Sequence, residues 1–147
     1  MSIGFLDTEF NAHGGELISI GLACLGSAPT DVNSCYGVVQ VPKKPHPWVA
    51  EHVIPLLGRT PEGREVVRQR VFKWLREEQI SLIIADWPAD LTHFLELLYK
   101  EHDPSMIFPM EIKLELINSG KFTSEIPHNA ESDAIALMKW YYGPFIK

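Results

Sequence analysis

The chain has 147 residues, 46% of them hydrophobic and 22% charged, with a formal net charge of -6. That length suits one domain with a core of its own, and that balance argues against disorder. No apolar run approaches the roughly 18 residues that a membrane helix needs. The negative charge argues against a protein that coats nucleic acid by displacing counter-ions; it does not exclude an enzyme that grips only a chain end, because an acidic site can carry compensating divalent metal.

The N-terminus lacks a basic segment followed by a long apolar one, so no secretory leader is expected and the chain reads as cytoplasmic. The two cysteines, Cys24 and Cys35, form no CxxC and no zinc spacing. They read as reduced thiols, with a disulfide open if the strands that carry them pair.

In chain order, residues 2–6 predict a short buried strand and residues 16–25 a second, rich in apolar and β-branched residues. The "NAHGG" between them suits a hairpin turn. Residues 35–41 predict a third strand, completing an antiparallel meander. Prolines limit the next stretch to a short helix at 48–54. Thr60 reads as an N-cap with Pro61 at the first helical position, opening a helix to Gln79. Residues 80–85, "ISLIIA", predict a central strand buried on both sides, and residues 89–100 an amphipathic helix. Between 104 and 127 the pattern is ambiguous: Ile112, Leu114, Leu116 and Ile117 fit a strand or a helix. Residues 129–141 predict a helix capped by Asn129. A meander followed by a crossover into a buried strand implies an α/β fold with a mixed sheet and helices on its faces. The single domain spans residues 1–147.

Acids stand out against this apolar background. Asp7 and Glu9, in "FLDTEFN", are two residues apart on a strand and so project from one face. Like charges there resist burial unless a cation lies between them, and hard divalent cations prefer carboxylate oxygens. Asp86 and Asp90 flank the break after the 80–85 strand, at the end where α/β folds place their chemistry. "HNAESDA" puts His128 before a helix and Asp133 within its first turns. Taken singly, each has a plain reading: a solvated strand end, a helix-starting acid, a first-turn acid favoured by the helix dipole, a surface loop histidine.

Taken together, Asp7-x-Glu9, then Asp90, then His128-x4-Asp133 resembles the DEDDh 3′-5′ exonucleases, a superfamily with an RNase H-like fold. "DTEF" is similar to its first motif, "DWPADLTHFL" to its second, and "HNAESDA" to its third. Asp86 stands where many members carry Asn, a departure that leaves the choice between Asp86 and Asp90 open. Within the superfamily the chain is most similar to the short bacterial and phage 3′-5′ exoribonucleases, in which "DTEF" is followed soon by "ELISIG", here residues 16–21. A segment similar to "WVAEHVIPLL", here residues 48–57, is also found in them. The likeness covers most of the chain and is weakest between 100 and 127.

The resemblance implies catalytic residues Asp7, Glu9, Asp90, His128 and Asp133. The four acids would hold two Mg²⁺ or Mn²⁺ ions, which stabilise charge on the attacking and leaving oxygens of a phosphodiester. His128 would be the general base, since an imidazole changes charge in the neutral range, and its place on a loop would let it swing over the metals. Thr8, Phe10 and Trp87 are the substrate-binding candidates, with Phe10 equally readable as core. Trp48 reads as structural. Lys43, Lys44, Arg64, Arg68 and Arg70 read as a solvated face that could guide phosphates. The implied activity is metal-dependent release of nucleotides from single-stranded RNA 3′ ends or overhangs. A DNA exonuclease and an inactive nucleic-acid-binding module are the alternatives. The resemblance also implies a homodimer, and the aromatic "KWYYGPFIK" could complete the core or form its contact.

Overall fold

A computed structural model of the chain describes residues 2–28, 31–99 and 110–143. It is an α/β fold. Five strands, β1 (Ser2–Phe10), β2 (Leu17–Leu25), β3 (Val32–Val38), β4 (Ile80–Ala85) and β5 (Lys113–Leu116), form one sheet in the order β3-β2-β1-β4-β5. β1, β2 and β3 make the antiparallel meander, and β4 and β5 continue parallel to β1. Four α-helices, α1 (Pro47–His52), α2 (Arg64–Glu77), α3 (Pro88–Leu98) and α4 (Ala130–Tyr142), and a short 3-10 helix, Ile54–Leu56, complete the described residues. This layout is consistent with an RNase H-like sheet. None of these helices is long and apolar enough to cross a membrane.

The inner strands of the sheet are buried on both faces. Phe5, Ala23 and Ile84 pack against Ala134, Leu137 and Met138 of α4. On the opposite face Leu6, Ile20, Leu22 and Ile83 meet Val67, Val71 and Leu75 of α2 and Phe94, Leu97 and Leu98 of α3. Each of the larger of these side chains (Val, Leu, Ile, Phe, Met), fully buried, contributes roughly 1.5–3 kcal/mol relative to exposure. Two glycines allow the helices to come this close. An added Cβ at Gly37 would meet the Val67 side chain at 2.7 Å, and one at Gly21 would collide with the backbone of Ala130 and Glu131. Tyr141 and Tyr142 close over Phe5, with ring centroids at 5.1 and 5.6 Å; Tyr142 packs against the core, while Tyr141 is 40% exposed. Residues 144–147 lie outside the described residues.

β4, an inner strand, and the last helix lie where the pattern predicts them. β1 runs four residues past its predicted end, through Asp7 and Glu9, because pairing with β2 continues to Phe10. β3 begins and ends earlier than the predicted 35–41. The Thr60 N-cap is a correction: α2 starts at Arg64, after Gly63 at φ +88°. The amides of Glu62 and Gly63 instead donate to the carbonyls of Val38 and Val39 (2.9 and 3.2 Å), and Glu62 pairs with Arg70. The ambiguous stretch contributes β5, an exposed strand; residues 104–109 and the predicted last residue of α3, 100, lie outside the described residues. Cys24 and Cys35 sit on paired strands as free, buried thiols.

Candidate active site

β1 and β4 are parallel neighbours, and the chain leaves them in opposite directions across the sheet, to β2 on one side and β5 on the other. A crevice outside the carboxyl ends of strands at such a switch point is the usual place for a ligand in α/β sheets. All the predicted acids meet there.

β1 supplies the frame through its alternation. Leu6, Thr8 and Phe10 face α2 and α3, while Phe5, Asp7 and Glu9 face the α4 side. Helix α3 buries Asp90, Phe94, Leu97 and Leu98, a stripe at helical spacing whose first member is a carboxylate. Asp90 is only 2% exposed, and its Oδ1 accepts the Thr8 hydroxyl (2.6 Å) and the Thr8 amide (3.3 Å). Thr8 is thus buried and engaged in orienting Asp90, rather than presented to a substrate. Asp86 follows β4 directly and accepts the Ser119 hydroxyl at 2.7 Å. One carboxylate oxygen from each of Asp7, Asp86 and Asp90 lies within 4.8 Å of the other two.

The second group comes from α4. Asn129 caps it, its side chain accepting the Ser132 amide (3.1 Å) while its Nδ2 donates to the Leu56 carbonyl (2.9 Å). The Ser132 hydroxyl accepts the Ile126 amide (2.9 Å), tying down the preceding loop. His128 has φ +70°, a left-handed conformation uncommon for residues other than glycine, and its amide donates to Asp133 Oδ2 at 3.0 Å. Glu9, Asp133 and a ring nitrogen of His128 again lie within 4.8 Å of one another. The structure therefore brings all five predicted catalytic residues together. Both helices start at the site, so their dipoles favour the acids of their first turns.

The wall beside His128 comes from α1. Trp48 stacks on His52 (4.7 Å) and meets the His128 ring edge-on at 4.9 Å. Asn11 links this wall to the end of β1, accepting the His46 amide (2.7 Å) and donating to the Lys44 carbonyl (3.1 Å). Trp48 is 45% exposed, so it does not bury the apolar area its structural reading assumed, although its ring contacts still brace the wall. His128 is braced by this contact rather than standing free on its loop. Phe10 is half-buried and stacks on His93 of α3 at 4.8 Å, and Trp87, at the start of α3, is 57% exposed. Of the cationic candidates, Arg68 pairs with Glu65 and Arg70 with Glu62, while Lys43 and Lys44 are exposed.

Sequence reasoning gave no part to Ser119, Asn11, His93 or Gly21. Only Gly21 left a signal, a glycine inside an otherwise largely apolar strand, which marks a bulge or a close backbone approach.

Crowding dominates the electrostatics. Burial, then the charges of Asp90, Glu9, Asp133 and Asp86, push the Asp7 carboxyl well above the usual carboxylate range. Burial, then Asp133 and Asp90, raise Glu9 to about 8. Burial raises Asp90 to about 7 against the opposing Thr8 hydroxyl, and Asp133 is raised mainly by burial. Among the described residues, no lysine or arginine lies within ion-pair distance of these acids. Asp7 Oδ2 is buried and has no hydrogen-bond donor, which is costly for a carboxylate. A divalent cation removes that cost, and a set of carboxylate oxygens suits Mg²⁺ or Mn²⁺. The residues fit the ions.

A scan against protein-family models finds no match to the chain, and a search of curated proteins finds none either.

Proposed function

We propose that the protein is a metal-dependent 3′-5′ exonuclease of the DEDDh type, acting on single-stranded RNA 3′ ends. One observation carries this reading: four acids from three separated segments converge with a histidine around an orphaned, buried carboxylate oxygen. The preference for RNA rests on the resemblance of the motifs.

Divalent ions, when bound, would supply positive charge to the attacking and leaving oxygens of the scissile phosphodiester. Asp7, Glu9, Asp90 and Asp133 would hold them. Strand β1, central in the sheet, fixes the first two, Thr8 fixes Asp90, and the capped α4 fixes Asp133; rigid support of this kind is what a catalytic geometry needs. His128 accepts the proton of the attacking water, a contribution typically worth 10²–10⁴-fold in rate. Asp133 holds its amide and Trp48 its ring. Trp48 and Trp87 offer exposed aromatic surface at the rim and Phe10 a half-buried one; stacking of a nucleobase is worth about 1–3 kcal/mol.

The test is product analysis. Single-stranded RNA and DNA of one sequence are incubated with Mn²⁺, Mg²⁺ or chelator, and the small products are identified by mass spectrometry. Nucleoside 5′-monophosphates released from RNA with metal, and none with chelator, support the proposal. Release mainly from DNA refutes the RNA assignment, and no release from either refutes the activity.

A further inference from the structure

Asp86 has no part in the four-acid centre, yet it stands inside it. It occupies the first position after β4, at the same sheet edge as the ends of β1 and the start of α3. The β4–β5 ladder extends one residue further through the Ile117 amide, which donates to the Ala85 carbonyl at 2.9 Å. That pairing brings Ser119, 6% exposed, against Asp86, and its hydroxyl donates to Oδ2. A carboxylate held by a buried hydroxyl has a fixed orientation, unlike a solvated acid on a loop. It comes within 4.8 Å of carboxylate oxygens of both Asp7 and Asp90. Beside it lies Asp7 Oδ2, buried and without a donor. Three carboxylates this close, with no cationic side chain among the described residues to neutralise them, call for an ion.

We infer that Asp86 is a further ligand for a divalent cation held with Asp7 and Asp90, and that Ser119 orients it. This rests on the metal-centre reading above and adds a fifth carboxylate to it. Four ionised acids balance two divalent ions; the fifth leaves the loaded centre with one negative charge more, which favours cation retention over release.

The experiment is calorimetric titration of the full chain with Mn²⁺, without nucleic acid, for the wild type, Asp86→Asn and Ser119→Ala. Asn keeps the shape and removes the charge, and circular dichroism reports folding of each variant. The wild type should bind two ions. Asp86→Asn should lose at least tenfold in affinity for one of them and keep the other, while its metal-free form melts higher because a repulsive charge is gone. Ser119→Ala should weaken the same ion to a smaller extent. Unchanged affinities in Asp86→Asn would overturn the inference and leave the metal centre standing. A wild type that binds no Mn²⁺ would overturn both.

Discussion

Gly21→Ala should damage the site without touching any proposed ligand. Gly21 lies on β2 opposite Asp7, under the first turn of α4. A Cβ there would fall onto the carbonyl of Ala130 and the amide of Glu131. Both obstacles are backbone, so no rotamer change relieves the clash. Helix α4 must withdraw by on the order of 1 Å to restore ordinary van der Waals contact, and Asp133 and His128 move with it, away from Glu9. Overpacking of this kind costs about 1–3 kcal/mol, or roughly 2–12 °C in Tm for a chain of this size. A displacement of about 1 Å in a catalytic arrangement costs around 10²-fold in rate. The assay is calorimetric melting, Mn²⁺ titration and the nuclease rate on one preparation. Gly37→Ala is the control: its Cβ meets the Val67 side chain on the opposite face, so it should lose stability and keep both metal affinity and rate. If Gly21→Ala binds Mn²⁺ and cleaves like the wild type, the seat of α4 on Gly21 does not set the spacing of the two halves of the site.

The remaining predictions concern charge, proton transfer and the cap. In the metal-free protein, Glu9 is raised to about 8 and Asp90 to about 7, so the folded state holds protons that the unfolded chain releases. The stability this gives is fully present below about pH 4 and is lost as pH rises through about 7–8. Tm without metal should fall across that window, and saturating Mn²⁺ should reverse the fall by binding the deprotonated acids; a flat profile would contradict the crowded-acid description. His128→Ala should reduce cleavage by 10²–10⁴-fold while the Tm rise with Mn²⁺ persists; loss of that rise would make His128 a ligand rather than a base. Asn129→Ala should cost about 1–2 kcal/mol in denaturant unfolding, through the lost helix cap, with the rate falling as the His128 loop loosens. An unchanged midpoint would remove Asn129 from its bracing role.

The legible parts of this fold are those where local pattern and tertiary demand agree. β4 is an apolar run between glutamine and aspartate, and the sheet buries it, so its bounds follow from composition. The α4 start is equally clear, because Asn129 caps it locally in sequence and in space. The acids were readable as a set because their order and spacing, Asp7-x-Glu9, then Asp90, then His128-x4-Asp133, stand out together against the apolar pattern. Less was legible wherever long-range pairing decides. β1 continues through Asp7 and Glu9, residues depleted from strands in general, because β2 supplies the partners. The Thr60–Pro61 pair has the chemistry of a helix start, but the carbonyls after β3 hold the next amides in an extended run. Trp48 carries no local sign that it will stand half-exposed beside His128, whereas the Asn11 bridge to residues 44–46 decides it in space. Ser119 comes from the least patterned stretch, and only the extension of the β4–β5 ladder brings it to Asp86.

The central claim is directional, metal-dependent hydrolysis at the converged acids. The most direct measurement is a time course on 5′-labelled single-stranded RNA with Mn²⁺, run with the wild type, with Asp7→Ala and with chelator. The account predicts a ladder that shortens one nucleotide at a time from the 3′ end with the wild type alone. Internal cuts, immediate release of the labelled 5′ nucleotide, or an undiminished ladder from Asp7→Ala would contradict it.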